Sequence, residues 1–405
     1  MVEQRPFGEL ITYDEALDSV LNEVSSVDRT EMIPITETSG RVLSEDQISS
    51  IDVPPFDRAA MDGFAVRAKD TYGAGKFDPI NLEILENVHA GENPTKVVEE
   101  GTCSQIATGA PMPERADSVI MVERTEKKNG TVDIYKPVHP GENVSPKGED
   151  IEVEDVVLEK GEYITSAKIG AMAAMGKEKV KVYQKPEIGV IPTGDEVVPL
   201  GEDLKPGQIY DVNSYTLSSL IQQNGCEPIK GTIVQDTIEG LKEEIKKRAE
   251  KHDIVLFSGG SSVGDKDILI DALEDIGEVI FHGVKLKPGK PTLFGKVEGT
   301  PVIGMPGYPT SCLNTAQQLI RPALRKMARL PEPPERKAKA VLQKRITSSL
   351  GRQQYMTVRL DGSKAYPVYK QSGAITSMAN ADGYFEIPEN VELIDKDEEI
   401  EVILF

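Results

Sequence analysis

Residues 254–267 read IVLFSGGSSVGDKD, and the fold class follows from them. A short apolar run, Ile254 to Phe257, ends in Ser258, two glycines, two serines and a third glycine, and acids follow. Such a run predicts a buried parallel strand that opens into a tight loop. Gly259, Gly260 and Gly264 remove side-chain bulk and permit positive φ, so backbone N–H groups can crowd an anion. Ser261 and Ser262 add hydroxyl donors. Asp265 and Asp267 would repel a bare phosphate and make sense when a divalent cation lies between. The alternative is a Gly-rich turn whose Asp265 caps the next helix, and the loop alone leaves both open.

The flanks repeat the pattern. IGVIPTGDEVV (188–198) is an apolar strand running into a polar loop. A helix over 213–225 is expected with Asn213 as cap and Gly225 as stop. EPIKGTIV is a strand, and Asp236 with Glu239 resembles a capping box for 237–251. A helix near 266–275, strands near 279–281, 292–297 and 301–305, and a helix over 310–328 complete the unit. Strands alternating with helices imply a doubly wound, mainly parallel sheet whose ligands bind beyond the strand C-termini. Three such ends carry polar loops: Thr193-Gly194-Asp195-Glu196, Ser258–Asp267, and the run from Gly304 through Pro306, Tyr308 and Pro309 to Ser311. LKPGKPTLFG (286–295) adds Lys287 and Lys290 on a turn fixed by Pro288-Gly289, a pair suited to an oxyanion.

Before this unit, 11–27 predicts an amphipathic helix capped by Thr12. Residues 80–160 read as short β strands with turns at Asn129-Gly130 and Pro140-Gly141. Residues 163–180 read as a helix of small residues ending at Gly176. After it, PEPPER (331–336) is a linker by composition, and period-two pieces such as AVLQKRI and EIEVILF predict a small β domain.

The chain of 405 residues is too long for one ordinary core. A net charge of −21, from 67 acids and 46 bases, argues against nucleic-acid or anionic-membrane binding. Any anionic substrate then needs a local basic site. Cys103, Cys226 and Cys312 lie far apart without CxxC spacing, so a reducing, cytoplasmic compartment is expected, with no disulfide framework. No apolar signal core opens the sequence and no apolar run reaches membrane-spanning length. Asp62, Thr108 and Asp150, taken singly, are ordinary turn residues, and Asp236 an ordinary helix cap. The histidines at 89, 139, 252 and 282 sit in unremarkable settings.

PPFDRAAMDGFAV, IATGAPMPERADSVIMVE, PGENVSPKGEDI, PTGDEVV, SGGSSVGDKD, KPGKP and GMPGYPTS stand in this order along the chain. Together they closely resemble the molybdopterin molybdotransferase family, MoeA and the gephyrin E domain. The α/β unit also resembles the molybdopterin adenylyltransferase fold. The resemblance implies an elongated homodimer and four subdomains. These are 1–28 with 186–330 (α/β, molybdopterin-binding), 29–50 with 152–185 (linking), 51–151 (β-rich, facing the partner's site) and 335–405 (C-terminal β).

The implied reaction takes adenylylated molybdopterin and molybdate, possible with tungstate as well, cleaves the adenylate with Mg²⁺ and releases AMP. By resemblance, Asp62, Thr108, Asp150, Glu196, Asp236, Asp267, Lys287 and Lys290 are the catalytic set. Glu196 and Asp267 hold Mg²⁺. Thr193, Gly194, Ser258, Gly259, Gly260, Ser261, Ser262, Gly264, Pro306, Pro309, Ser311, Arg352 and Ser372 bind the cofactor. Asp62, Thr108 and Asp150 come from the second subunit, and a molybdopterin adenylyltransferase is the upstream partner. Tyr308 stands where relatives commonly have Asn, and Thr357 where many carry an Arg. Arg352 or Arg359 can replace that Arg, assisted by Ser372 or Ser377. The rival functions are an adenylyltransferase and a non-catalytic, gephyrin-like scaffold.

Overall fold

The computed structural model describes residues 9–259, 268–370 and 373–405. Two compact units divide the chain: Met1–Glu31 with Gly40–Val42 and Tyr183–Phe405, and Met32–Ser39 with Leu43–Val182.

The first unit is built on a sheet of β1 (Glu187–Pro192), β2 (Glu227–Lys230), β3 (Ile254–Ser258), β4 (Glu278–His282), β5 (Leu293–Val297) and β6 (Thr300–Met305). Its order is β2-β1-β3-β6-β5-β4. The first four strands run parallel, and β5 and β4 add an antiparallel edge. The apolar run at 254–257 has a direct cause. Ile254 and Leu256 face one core, with Ala16 and Val20 of α1 (Tyr13–Glu23) and Leu217 of α2 (Asn213–Gln223). Val255 and Phe257 face the other, with Leu241 of α3 (Ile238–Ala249) and Leu269 of α4 (Ile268–Ile276). Both faces of β3 are therefore dry, so no polar alternation survives in it. Each such side chain contributes about 1.5–3 kcal/mol.

Local signals set the helix ends, with two corrections. Thr12 Oγ1 accepts from Glu15 N (3.3 Å) and Glu15 Oε2 accepts from Thr12 N (2.9 Å), a full capping box. Asp236 does not cap α3. Thr237 does, accepting from Gly240 N at 3.3 Å. Asn213 does not cap α2 either. The carboxylate of Asp211 accepts from Ser214 N at 3.0 Å, and Asn213 lies inside the helix. The expected helix over 310–328 is three segments: α5 (Pro309–Thr315), a π-helical run Ala316–Ile320, and α6 (Arg321–Met327). Pro322 has no N–H to donate, and the π run absorbs the break.

The C-terminal residues form a small closed barrel around Leu342, Val358, Phe385 and Val402. Gln353–Asp361 pairs with both Lys364–Pro367 and Gly383–Ile387, and Lys337–Leu342 and Glu399–Leu404 complete the ring. Leu286–Lys287, from the α/β part, pairs in parallel with Gln353 and Gln354. The second unit holds a six-stranded sheet in which Gly63–Val66 lies between Ser118–Met121 and Thr102–Ile106. Gly63 is obligatory there, because a Cβ would lie 1.8 Å from Ile120 O.

Candidate active site

A cavity of about 1060 Å³ opens in the first unit at the C-terminal ends of β1, β3 and β6. The first loop brings Thr193, Gly194 and Glu196. Thr193 N donates to Ser258 O (3.1 Å), tying it to the end of β3. Gly259 follows with φ +113°, and a Cβ there would sit 2.6 Å from Thr193 O, so only glycine fits. Its N–H donates to Met305 O (3.2 Å) and so does not face an anion. Gly260, Ser261, Ser262, Gly264 and Asp267 lie outside the described residues, as does Ser372.

The third loop carries Pro306, Tyr308, Pro309 and Ser311, all lining the cavity. Asn213 Nδ2 donates to Gly307 O at 2.9 Å and fixes this loop. Tyr308 stands before α5 without a side-chain cap.

Lys287 and Lys290 reach the cavity from the Pro288-Gly289 turn. Gly289 has φ +132°, and a Cβ would meet Thr315 Oγ1 at 2.5 Å. Asn314 Nδ2 donates to Pro288 O (2.7 Å), and Thr292 Oγ1 donates to Gly289 O (2.8 Å). The barrel completes the clamp: Lys287 Nζ donates to Ser349 Oγ at 2.9 Å, and Arg352 lines the cavity beside it. Burial, and next the charge of Arg352, pulls the Lys287 pKa down. An arriving dianion would offset the charge of Arg352 and favour the ammonium. Of the two arginines expected at the basic site, Arg352 lines the cavity. Arg359 instead lies over the Tyr366 ring, 5.9 Å from its centroid. Thr357 is a buried barrel residue, and Ser377 Oγ donates to Ala374 O at 2.8 Å.

Glu196 and Asp236 line the same cavity. Asp236 Oδ1 is buried with no hydrogen-bond partner. Burial first, then the charges of Asp195 and Glu196, push the Asp236 pKa up. Among the described residues, no three His, Cys, Asp or Glu side chains converge as a metal site. A hard cation such as Mg²⁺ commonly takes one or two carboxylates and completes its shell from phosphate and water. The unsatisfied Asp236 oxygen beside Glu196 fits that donor set.

Asp62, Thr108 and Asp150 belong to the second unit. Asp62 Oδ1 accepts from Thr108 N (2.7 Å) and Thr108 Oγ1 (2.9 Å), so two distant Gly-adjacent turns are one exposed pair. Those bonds, the backbone one first, hold the Asp62 carboxyl below its usual range. Asp150 is exposed, and its N–H donates to Val53 O at 3.0 Å.

Sequence reasoning missed Asp211, Asn213, Ser349 and the segment Leu204–Tyr210, all at or beside the cavity. Asp211 is 3% exposed and paired with Lys230 at 3.0 Å. Its only signal is an Asp two residues before Asn213 at a helix start.

Family models match along the chain: MoeA N-terminal region (domain I and II) over residues 11–176, a probable molybdopterin binding domain over 189–326, and MoeA C-terminal region (domain IV) over 339–405. The sequence is 33% identical to molybdopterin molybdenumtransferase 2 of Mycobacterium tuberculosis, covering 92% of this chain and 94% of that one. It is 31% identical to a molybdopterin molybdenumtransferase of Staphylococcus aureus, covering 93% and 91%. The fold matches the crystal structure of the molybdopterin biosynthesis MoeA protein of Pyrococcus horikoshii with TM-score 0.84 and 43% identity, over 98% and 99% of the two chains.

Proposed function

This chain belongs to the MoeA family, and on that footing we propose that it is a molybdopterin molybdenumtransferase of molybdenum cofactor biosynthesis. Its substrates are adenylylated molybdopterin and molybdate, with tungstate an anion of the same shape and charge. One observation carries the reading: Lys287, Lys290 and Arg352 stand in the same cavity as Glu196 and Asp236. An acidic protein has gathered cations at the strand ends of its parallel sheet, and carboxylates line the same cavity. Cations alone would suit any oxyanion. Carboxylates beside them suit a phosphoanhydride whose charge a divalent ion offsets.

In this reading the lysines and Arg352 hold molybdate next to the dithiolene, and the loops after β1, β3 and β6 orient the adenylate. Glu196, Asp236 and Asp267 would hold Mg²⁺, which when bound would offset the charge of the phosphates. Water adds to the phosphoanhydride and AMP leaves; the two dithiolene sulfurs bond to molybdenum, and their two protons leave with one molybdate oxygen as water. No covalent enzyme intermediate is required, since positioning and charge neutralisation suffice. The substrate arrives from a molybdopterin adenylyltransferase in the cytoplasm.

The working form is a homodimer in which the Asp62–Thr108 pair and Asp150 of one protomer complete the cavity of its partner. Leu204, Ile209 and Tyr210 support this, as apolar side chains left exposed along the cavity lining. The test is AMP release from adenylylated molybdopterin with molybdate. EDTA should stop it, and Mg²⁺ or Mn²⁺ should restore it. Formation of adenylate from ATP and molybdopterin, without molybdate-dependent AMP release, would replace this reading with an adenylyltransferase.

A further inference from the structure

Tyr308 is the odd residue of the cavity. It stands at the N-cap of α5, where a short polar side chain would accept from the first-turn N–H groups, yet it makes no such bond. Tyr308 is 68% exposed while the helix behind it is buried from Thr310 through Cys312. The backbone that carries it is held in place. Asn213 Nδ2 fixes the preceding carbonyl, Pro309 fixes the following residue, and a Cβ on Gly373 of the barrel would lie 3.7 Å from the ring's Cδ1. A bare glycine backbone thus approaches the ring, and the rest of it stays open in the cavity lining. Tyr369 is a second partly exposed aromatic of the same lining.

We propose that Tyr308 is a stacking platform for the flat, nitrogen-rich fused ring of the substrate, and so determines which ring the cavity accepts. The inference rests on the molybdenumtransferase reading above. A rigid aromatic loses little entropy on binding, and its face attracts any flat heterocycle through dispersion and quadrupole contacts. Placement supplies the specificity. Tyr308 is separated only by Pro309 and Thr310 from Ser311, and its loop packs against Gly259, where a Cβ on Gly307 would lie 3.8 Å from Gly259 Cα. A phosphate held among these loops and Lys290 would leave its attached ring in the cavity that Tyr308 also lines. Both rings of adenylylated molybdopterin, adenine and pterin, have this chemistry, and each is joined to phosphate.

The experiment measures two ring ligands separately on the full-length protein. AMP binding is followed by calorimetry. Binding of a soluble pterin is followed by its own fluorescence, which the chain does not obscure because it contains no Trp. Tyr308→Phe should bind both ligands within about twofold of wild type. Tyr308→Ala and Tyr308→Asn should lose about tenfold or more for one of them, which identifies the ring that stacks. Thermal melts establish that the variants fold. If Tyr308→Ala melts like wild type and binds both ligands unchanged, the platform is refuted. Equal loss in Tyr308→Phe would assign the role to the hydroxyl and also refute it. A Tyr308→Ala variant that loses self-association but keeps both affinities marks the ring as an interface residue, a third refutation. If wild type binds neither ring and releases no AMP, the functional reading falls first and this inference with it. AMP release by wild type with unchanged Tyr308→Ala affinities overturns this inference alone.

Discussion

Asp236 is a perturbed acid in the lining of the cavity. Its Oδ1 is buried without a partner, and burial with Asp195 and Glu196 raises its pKa. A raised carboxyl pKa means that ionisation is resisted in the fold. The resulting cost is absent where both folded and unfolded forms are protonated, and it grows as pH rises through the folded pKa. Asp236→Asn should therefore melt higher than wild type at neutral pH in metal-free buffer. The gap should close as pH falls toward about 4, while AMP release drops. Thermal melts across that range with matched turnover assays check it, and equal melting at neutral pH would count against the cluster. At Lys287 the sign is opposite in kind. Burial and Arg352 lower its pKa, so a bound dianion should raise it and draw in a proton at alkaline pH. Calorimetry of molybdate binding in buffers of different ionisation enthalpy should register that uptake below the ordinary lysine pKa. Lys287→Ala should lose a charge-assisted hydrogen bond of about 1.5–3 kcal/mol, one to two decades in anion affinity. Lys287→Arg should recover little, because a planar fork replaces a compact ammonium.

At the level of elements, the turns decide the geometry of the charged groups. Gly289 combines φ +132° with no room for a Cβ beside Thr315 Oγ1 and Leu286. Gly289→Ala should cost about 1–3 kcal/mol and displace both Lys287 and Lys290. Melting temperature and molybdate affinity should then fall together. A variant with lowered stability and unchanged affinity would separate the turn from the site. Much of this was legible in the sequence. The apolar run at 254–257 marks a strand with two buried faces, Thr12 marks a helix start, and Lys-Pro-Gly-Lys marks a rigid basic turn. What stayed hidden has a common cause, which is pairing at long range. The capping roles given to Asp236 and Asn213 followed local rules. The cap of α3 moved one residue to Thr237, and Asn213 instead binds Gly307 O, 94 residues away. The addition of Leu286–Lys287 to the barrel strand at Gln353 leaves no periodicity to read.

At the scale of the whole molecule, the residues proposed for the site divide between two units. Glu196, Asp236, Lys287, Lys290 and Arg352 share the cavity of one, and the Asp62–Thr108 pair lies in the other. The sequence offers only separate Asp-Gly and Thr-Gly turns for that pair. A hydrogen bond across 46 residues, on a sheet that requires Gly63, makes them one feature. The pair is exposed, and its carboxyl is already held ionised by Thr108. An exposed, pre-oriented carboxylate is economical only if something else uses it, and the proposed dimer supplies that use. Asp62→Ala alone and Glu196→Ala alone should each be inactive, since every cavity in either homodimer lacks one acid. Mixing the two variants under conditions of subunit exchange should restore activity. Each mixed dimer then holds one cavity built from two intact contributions and one lacking both. With random exchange half of the dimers are mixed, so about a quarter of wild-type turnover should return. Native mass spectrometry can establish the exchange. Proven exchange with no recovery of AMP release would confine the active site to a single chain.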